Sequence, residues 1–273
     1  MKISFCLTTY SKKEFLEITL QNYFQNKKSN YELIVSDGCS TDGTVEYLKE
    51  LKQKNMIDAL VLSKKRDRGE WEGFKKTLDH VTGDYFYLLT DDDYFDFQAI
   101  DRIVEVLENH KYVDFLVADG IDVKPNGIEV LNYHRSMKQA DSTSSNLNGL
   151  KHGVCGLGLF VRSALINQME LFTPRCGKRT DKFLSLALMD SDLMGASTNV
   201  KTYASIKNEK SNSQMYGFDY KKLEQTTTLT EDLDKTFLVD TNSFKEKFDQ
   251  AQDILSRMAV DEEITIYDDK VKK

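Results

Sequence analysis

Residues 32–44 read ELIVSDGCSTDGT, an apolar run that leads into a turn rich in Asp, Gly, Ser and Thr. Short runs of Leu, Ile and Val are typical of a buried parallel strand. Small oxygen-bearing residues such as Asp42 and Thr44 are favoured where a helix begins. The segment therefore predicts a strand, a turn that presents polar groups to a ligand, and a helix. An ordinary helix-capping turn is the alternative.

The same order of strand and helix recurs through the first half of the chain. Apolar runs predict strands at 3–9, 33–36, 59–63, 85–90 and 113–118. Helical patterns lie between them at 13–26, 44–54, 70–80 and 97–110. This alternation favours an α/β sheet that is mainly parallel and flanked by helices. Ligands bind at the carboxyl edge of such sheets, so residues that follow each strand are the first site candidates.

The second half of the chain predicts a different organisation. Residues 141–149, DSTSSNLNG, predict a loop before the glycine-punctuated apolar run at 153–161. Further on, Ser243 and Glu246 form a capping box ahead of apolar residues that share one helical face. We expect this helix to pack on the core of the protein, and contact with a membrane surface is the alternative.

Composition excludes several classes of protein. With 40% hydrophobic and 30% charged residues, the chain has the composition of a globular protein. Its net charge of -7 argues against wrapping nucleic acid, which requires many cations. Neither a signal-peptide pattern nor a membrane-spanning apolar run occurs, which predicts a cytoplasmic protein, with peripheral contact at the inner face of the cell membrane as an option. The cysteines form no CxxC pair and are expected to be reduced thiols: Cys6, Cys39, Cys155 and Cys176.

Three adjacent carboxylates follow an apolar run in the segment GDYFYLLTDDDY, residues 83–94. Repulsion among Asp91–Asp93 is costly unless a cation or strong hydrogen bonds offset it. Such oxygen-rich clusters suit Mg²⁺ or Mn²⁺, and a solvated acidic turn is the alternative. An aspartyl nucleophile of the haloacid-dehalogenase type is disfavoured, because that motif follows the first strand. Here the first strand ends in Thr8–Tyr10, without a carboxylate.

Four segments together resemble family 2 glycosyltransferases of the GT-A fold, the type that builds bacterial surface polysaccharides. In order they are ISFCLTTYSKKEFLEITL at 3–20, ELIVSDGCSTDGT at 32–44, DRGEWEGFKKTLDHVTGDY at 67–85 and LLTDDDY at 88–94. The third segment departs from the family pattern at Trp71, Glu72 and Lys75. The resemblance implies a GT-A domain at 1–215, with a nucleotide-sugar-binding half at 1–120 and an acceptor-side half at 121–215, and a C-terminal helical extension at 216–273.

The resemblance also implies a function. The chain would be a metal-dependent inverting glycosyltransferase that moves a sugar from a nucleotide-sugar donor, with UDP favoured, to a bacterial surface glycan or lipid-linked glycan. By position, Thr8 and Tyr10 would border the base, Asp37 would accept a hydrogen bond from it, and Arg68 would approach the donor. Trp71 would stack on the donor sugar or, alternatively, pack in the core.

The acidic triplet matches the metal-binding element of the family, with Thr90 where its first Asp usually lies. Asp92 would face the ribose and the Mg²⁺ or Mn²⁺ ion. Asp93 or Asp91 would complete the metal site, and Asp91 would also border the nucleotide. The choice between the two stays open at this point.

On the acceptor side the resemblance implies that Asp181 is the general base. A helix-start carboxylate stabilised by the helix dipole is the alternative. Downstream, Lys207, Lys210 and Ser211 would reach the diphosphate. His134 and His152 are expected to be structural, because an isolated His is more often a hydrogen-bonded structural residue than a catalyst.

Two other functions stay open. Departures at Thr90, Glu72 and Lys75 motivate a nucleotide-sugar-binding module without transfer activity. A nucleotidyltransferase is a weaker alternative, because it expects a glycine-rich basic loop after the first strand. The sequence TTYSKK at 8–13 contains no glycine.

Overall fold

The strands and helices of the protein are seen in a computed structural model that describes residues 1–124, 127–142, 156–174, 180, 184, 187–188, 193–207, 241–258 and 262–267. The strands within these ranges are β1 Ile3–Thr9, β2 Tyr31–Asp37, β3 Ala59–Leu62, β4 Tyr85–Leu89, β5 Asp93–Phe95, β6 Phe115–Lys124, β7 Gly127–Leu131, β8 Leu159–Arg162, β9 Gly195–Ile206 and β10 Ile264–Tyr267. The α-helices are α1 Lys13–Asn26, α2 Thr44–Gln53, α3 Glu70–Leu78, α4 Phe97–Asn109, α5 Tyr133–Ser142 and α6 Thr241–Arg257.

All of these strands belong to one mixed sheet. The order along it is β10-β9-β6-β8-β4-β1-β2-β3, with β5 paired to β9 and β7 paired to β6. Strands β4, β1, β2 and β3 are parallel, and so are β6 and β9. Strand β8 runs antiparallel between β4 and β6. The predicted α/β class with a mixed, mainly parallel sheet is confirmed.

Helices cover the central strands β1, β2 and β4 because these are apolar and buried on both faces. In β1, Phe5 and Leu7 belong to one hydrophobic cluster together with Leu16 and Leu20 of α1. Cys6 points to the opposite face, into a second cluster that includes residues of α3. Successive side chains of a strand alternate between faces, so a continuous apolar run fits burial on both sides.

The C-terminal helix packs on the protein, as predicted. The ring of Phe244 in α6 contacts Phe15 of α1 edge-on, with centroids 4.7 Å apart. The helix begins at Thr241, so the prediction that Ser243 caps it was wrong and Ser243 lies inside the first turn. Beyond the helix, β10 pairs antiparallel with β9, which the sequence had not indicated.

Four other sequence predictions concern the loop at 141–149, the cysteines, the domain boundaries and membrane-spanning helices. Helix α5 extends to Ser142, so the first two residues of the predicted loop at 141–149 are helical; the rest of that loop lies outside the described residues. Cys6 and Cys39 are free thiols, whereas Cys155 and Cys176 fall outside the described ranges. The domain boundaries at 120 and 215 stay predictions. In the described part of the chain, every helix is too short or too polar to cross a bilayer.

Candidate functional site

The carboxyl ends of three parallel strands form one edge of the sheet, as the sequence predicted. In the register of β1 and β2, Thr9 pairs with Asp37. In the register of β1 and β4, Leu7 pairs with Leu89. The turns that follow these strands therefore start side by side, and the acidic residues after β4 lie near the segments that follow β1 and β2.

Asp37 shapes the turn after β2. Its side chain is fully buried. One carboxylate oxygen accepts hydrogen bonds of 2.9 Å from the N–H groups of Cys39 and Ser40, and the other accepts one of 2.5 Å from the Ser40 hydroxyl. The N–H of Gly38 donates to the carbonyl of Thr9 at 2.9 Å. These bonds fix the turn against β1, and the contact of Asp37 with a base stays a prediction.

The segment after β1 is held by the turn after β2. Ser11 has a left-handed backbone conformation, with φ 51°. Its N–H donates to the Ser40 hydroxyl at 2.8 Å. Such a conformation is uncommon for a residue with a side chain and persists where its surroundings hold it. The next residue, Lys12, is directed into the protein and its side chain is buried.

Trp71 and Glu72, two of the departures from the family pattern, both contact Arg68. The Arg68 guanidinium lies 4.9 Å from the centre of the Trp71 ring, and its Nε is 3.2 Å from a Glu72 oxygen. Trp71 is only 4% exposed and belongs to the second hydrophobic cluster. This location agrees with the alternative in which Trp71 packs in the core. Nearby, Arg66 lies over the ring of Tyr10 at 4.5 Å.

Thr8 lies where α3 approaches β1. A Cβ atom added to Gly73 would be 3.0 Å from the Thr8 side chain. Glycine at this position therefore allows the close contact between the helix and the end of the strand. Thr8 is positioned at the predicted nucleotide edge, and its contact with the base stays a prediction.

The acidic triplet divides into a pair and a single residue. Asp91 and Asp92 face one cation: Lys12 Nζ lies 3.1 Å from Asp91 Oδ1 and 2.8 Å from Asp92 Oδ2. Asp93 faces elsewhere, because its oxygens accept hydrogen bonds of 2.8 Å from the N–H of Ile206 and 2.5 Å from the hydroxyl of Thr90. All three carboxylates are at least nine-tenths buried.

Burial perturbs the ionisation of this cluster. It raises the pKa of Asp91, and the positive charge of Lys12 opposes that change. Burial and the neighbouring charge of Asp92 raise the pKa of Asp93. Burial alone would lower the pKa of Lys12, but the two carboxylates beside it raise that pKa above its ordinary value. Lys12 therefore carries its positive charge at neutral pH.

The donor set suits a divalent ion completed by substrate. No group of three His, Cys, Asp or Glu side chains arranged to hold a metal occurs among the described residues. Mg²⁺, however, is commonly held by one or two carboxylates together with substrate phosphates and water. Asp91 and Asp92 already direct one oxygen each at a common cation. Two carboxylates with this geometry fit a metal ion whose other ligands would be oxygens of a diphosphate and water.

The structure describes only some of the other predicted residues. Asp181, Lys210, Ser211 and His152 lie outside the described residues. Lys207 is described, and its Nζ lies 2.9 Å from the Ser205 hydroxyl. The structural interpretation of His134 is supported, because it is buried with its Nδ1 2.8 Å from the Ser197 hydroxyl.

Sequence reasoning missed Lys12. The available signal was its place in TTYSKK, directly after the first strand and hence at the carboxyl edge of the sheet. Lysine is usually exposed, and its partners are 79 and 80 residues away in the chain. Only the fold shows that this lysine turns inward.

Comparison with known proteins identifies related sequences. The family model described as Glycosyl transferase family 2 matches residues 4–168, more than half of the chain. Abequosyltransferase RfbV of Salmonella typhimurium is 27% identical over 143 residues, which are 52% of this chain and 42% of that protein. The match thus spans less than half the length of this relative.

Solved structures share the fold. The Staphylococcus aureus protein TarS, residues 1–349 in complex with UDP-GlcNAc, aligns with a TM-score of 0.64 and 16% identity over 80% of this chain and 62% of that chain. The mannosyltransferase PcManGT from Pyrobaculum calidifontis, in complex with GDP-Man and Mn²⁺, aligns with a TM-score of 0.53 and 15% identity over 94% of this chain and 70% of that chain. At these identities the likeness shows the fold alone.

Proposed function

Because the chain belongs to glycosyl transferase family 2, we propose that it is an enzyme that transfers a sugar from a nucleotide-sugar donor to a glycan. UDP is the favoured nucleotide, and the acceptor is a bacterial surface glycan, free or lipid-linked. The fold shared with a protein solved with UDP-GlcNAc supports a donor of this class.

One observation carries the proposal. Asp91 and Asp92 each direct one oxygen at the same point, which the Lys12 ammonium occupies, at the carboxyl edge of β1, β2 and β4. The ordered turn at 37–40 and the ring of Tyr10 lie on the same edge. A nucleoside diphosphate needs a surface for its base and a cation for its phosphates. On this edge the turn and the ring form a surface for the base, and the two carboxylates would hold a metal ion for the phosphates.

We propose that Asp92, together with Asp91, holds Mg²⁺ or Mn²⁺ in the donor complex. Asp93 was the other candidate ligand, but its oxygens are directed at Ile206 and Thr90 and not at the point that Asp91 and Asp92 share. The neighbour solved with GDP-Man and Mn²⁺ supports a divalent ion in this fold. When bound, such an ion neutralises the two phosphates and stabilises the departing nucleoside diphosphate.

We propose a single-displacement reaction that inverts the anomeric carbon. The acceptor hydroxyl oxygen forms the new bond to that carbon, and the bond to the diphosphate oxygen breaks with its electron pair on the leaving group. Asp181 accepts the hydroxyl proton as general base. The Asp181→Asn variant should bind donor normally and lose transfer. Normal turnover of this variant, or a covalent glycosyl-enzyme, would contradict this part of the proposal.

Calorimetric titration tests the donor site. UDP is titrated with Mn²⁺ and again with a chelator, and GDP, CDP and TDP serve as controls. Metal-dependent binding that favours UDP supports the proposal. If none of the four nucleotides binds, the proposed donor site and the proposed activity are both contradicted.

A nucleotide-sugar-binding module without activity is the second candidate. Its motivation is the departure of Thr90, Glu72 and Lys75 from the family pattern. Two of these residues have local roles: Thr90 donates to Asp93, and Glu72 binds Arg68. Metal-dependent hydrolysis of a nucleotide sugar, even if slow, would exclude this candidate. A nucleotidyltransferase ranks below it, because the segment after β1 contains no glycine.

We further propose that the protein works in the cytoplasm, at the inner face of the cell membrane where the acceptor is lipid-linked. Sedimentation with vesicles that carry the lipid-linked acceptor, compared with vesicles that lack it, tests the membrane contact. Equal sedimentation with both would contradict it.

A further inference from the structure

Lys12 occupies the cation position of the acidic pair. Its Nζ lies 2.8 Å from Asp92 Oδ2 and 3.1 Å from Asp91 Oδ1. The three side chains are only 6–9% exposed. Buried carboxylates are costly unless a positive charge pairs with them. The free protein therefore supplies its own cation to the two carboxylates that the proposed function assigns to a metal.

The backbone holds Lys12 in this place. Lys12 directly precedes α1, and its carbonyl accepts hydrogen bonds of 3.1 and 3.0 Å from the N–H groups of Phe15 and Leu16. On the other side, the left-handed turn at Ser11 is held by Ser40. The backbone is thus held at Ser11 and at Lys12 itself, which limits the positions that the ammonium can reach.

The acidic turn is attached to the same helix. The hydroxyl of Thr19 in α1 lies 3.1 Å from the carbonyl oxygen of Asp93 and 3.4 Å from that of Asp91. Helix α1 therefore positions both the ammonium and the backbone of the carboxylates. The ion pair is part of the packing of α1 against the turn between β4 and β5.

An ammonium at this point disfavours a divalent ion on the same two oxygens. Like charges in contact repel strongly in a buried environment of low effective dielectric. We propose that Lys12 competes with the divalent ion for Asp91 and Asp92, so that the protein without nucleotide binds the ion weakly. This inference rests on the proposed function. A nucleoside diphosphate would shift the competition towards the metal, because its phosphate oxygens are additional ligands for the ion.

The test is a titration with Mn²⁺ alone. The electron paramagnetic resonance signal of the free hydrated ion measures how much Mn²⁺ stays unbound. Lys12→Met removes the competing charge and keeps much of the side-chain volume. This variant should bind Mn²⁺ about tenfold more tightly than the wild type, or better. Lys12→Arg keeps the charge and should bind as weakly as the wild type.

The neighbouring Lys13 supplies a matched control. Its side chain is 41% exposed and pairs with Glu17, away from the acidic pair. Lys13→Met should therefore leave the affinity for Mn²⁺ unchanged. Equal or weaker binding of Mn²⁺ by Lys12→Met than by the wild type would overturn the inference.

Loss of the buried ion pair makes Lys12→Met less stable, so its thermal unfolding is measured as well. Mn²⁺ should raise the unfolding temperature of this variant and have little effect on the wild type. If Lys12→Met folds only when Mn²⁺ is present, that result supports competition between Lys12 and the ion. If Mn²⁺ does not stabilise the variant, the inference is overturned. The titration contains no nucleotide. Failure of the proposed function would instead be seen as absence of UDP binding by the wild type with Mn²⁺ present.

Discussion

The carboxylate of Asp42 accepts a hydrogen bond of 3.0 Å from the N–H of Lys13, the first residue of α1. Its other oxygen accepts bonds of 3.2 and 2.6 Å from the N–H and hydroxyl of Thr44, the first residue of α2. One side chain therefore satisfies N–H groups at the start of two helices, and its negative charge suits both helix dipoles. This contact links the segments that follow β1 and β2.

We expect Asp42→Ala to lower the free energy of unfolding by about 1–2 kcal/mol, a cost similar to that of losing a helix cap. Asp79 is an exposed control at the end of α3. Asp79→Ala should change stability by no more than about 0.5 kcal/mol. Urea unfolding of both variants measures the difference. Equal stability of the two would show that the double contact of Asp42 contributes nothing.

Glu32 should make part of the free energy of unfolding depend on pH. Burial acts to raise its pKa, but hydrogen bonds from Lys2, Ser4 and Thr82 outweigh burial and lower the pKa to about 2. A carboxyl group whose pKa is lower in the folded state stabilises the protein above its unfolded pKa, here about 4.5. That contribution is lost as the pH falls from about 5 towards 2.

Glu32→Gln removes the titrating group and keeps its shape. The free energy of unfolding of the wild type should exceed that of the variant at pH 6, and the difference should shrink as the pH falls towards 2. Urea unfolding of both proteins at several pH values measures it. A difference that does not change with pH would contradict the assignment.

Arg68 should contribute to donor binding more than to stability. Its side chain is 64% exposed, and an exposed ion pair such as the one with Glu72 contributes little to folding. We expect Arg68→Ala to weaken UDP-sugar binding by about tenfold, which corresponds to roughly 1.4 kcal/mol. Arg257, 77% exposed and paired four residues away with Asp253, is the matched control. Similar calorimetric affinities for the two Ala variants would exclude Arg68 from the donor site.

Much of the fold was predictable because it depends on local pattern. Helix α1 begins and ends at the predicted residues, 13 and 26, and the central strands follow from apolar runs buried on both faces. The antiparallel insertion of β8 between β4 and β6 was not predictable. A four-residue apolar strand does not reveal its direction or its neighbours, which long-range pairing decides.

The candidate site was predictable as a location and less so as a set of contacts. Asp37 and Asp91–Asp93 were identified because they follow strands. The direction of each carboxylate depends on partners that the sequence does not reveal, such as Ile206 for Asp93. The inward direction of Lys12 depends on the turn at Ser11, whose left-handed conformation is stabilised by Ser40 from another strand-helix connection.

The most direct test of the proposed function is release of UDP from a panel of UDP-sugars, measured with Mn²⁺ for the wild type and for Asp92→Asn. We predict that the wild type releases UDP from at least one UDP-sugar and that a chelator abolishes this release. Asp92→Asn should release no UDP, although its circular dichroism spectrum should match that of the wild type. Release by Asp92→Asn at the wild-type rate, or no release from any UDP-sugar by the wild type, would contradict the account.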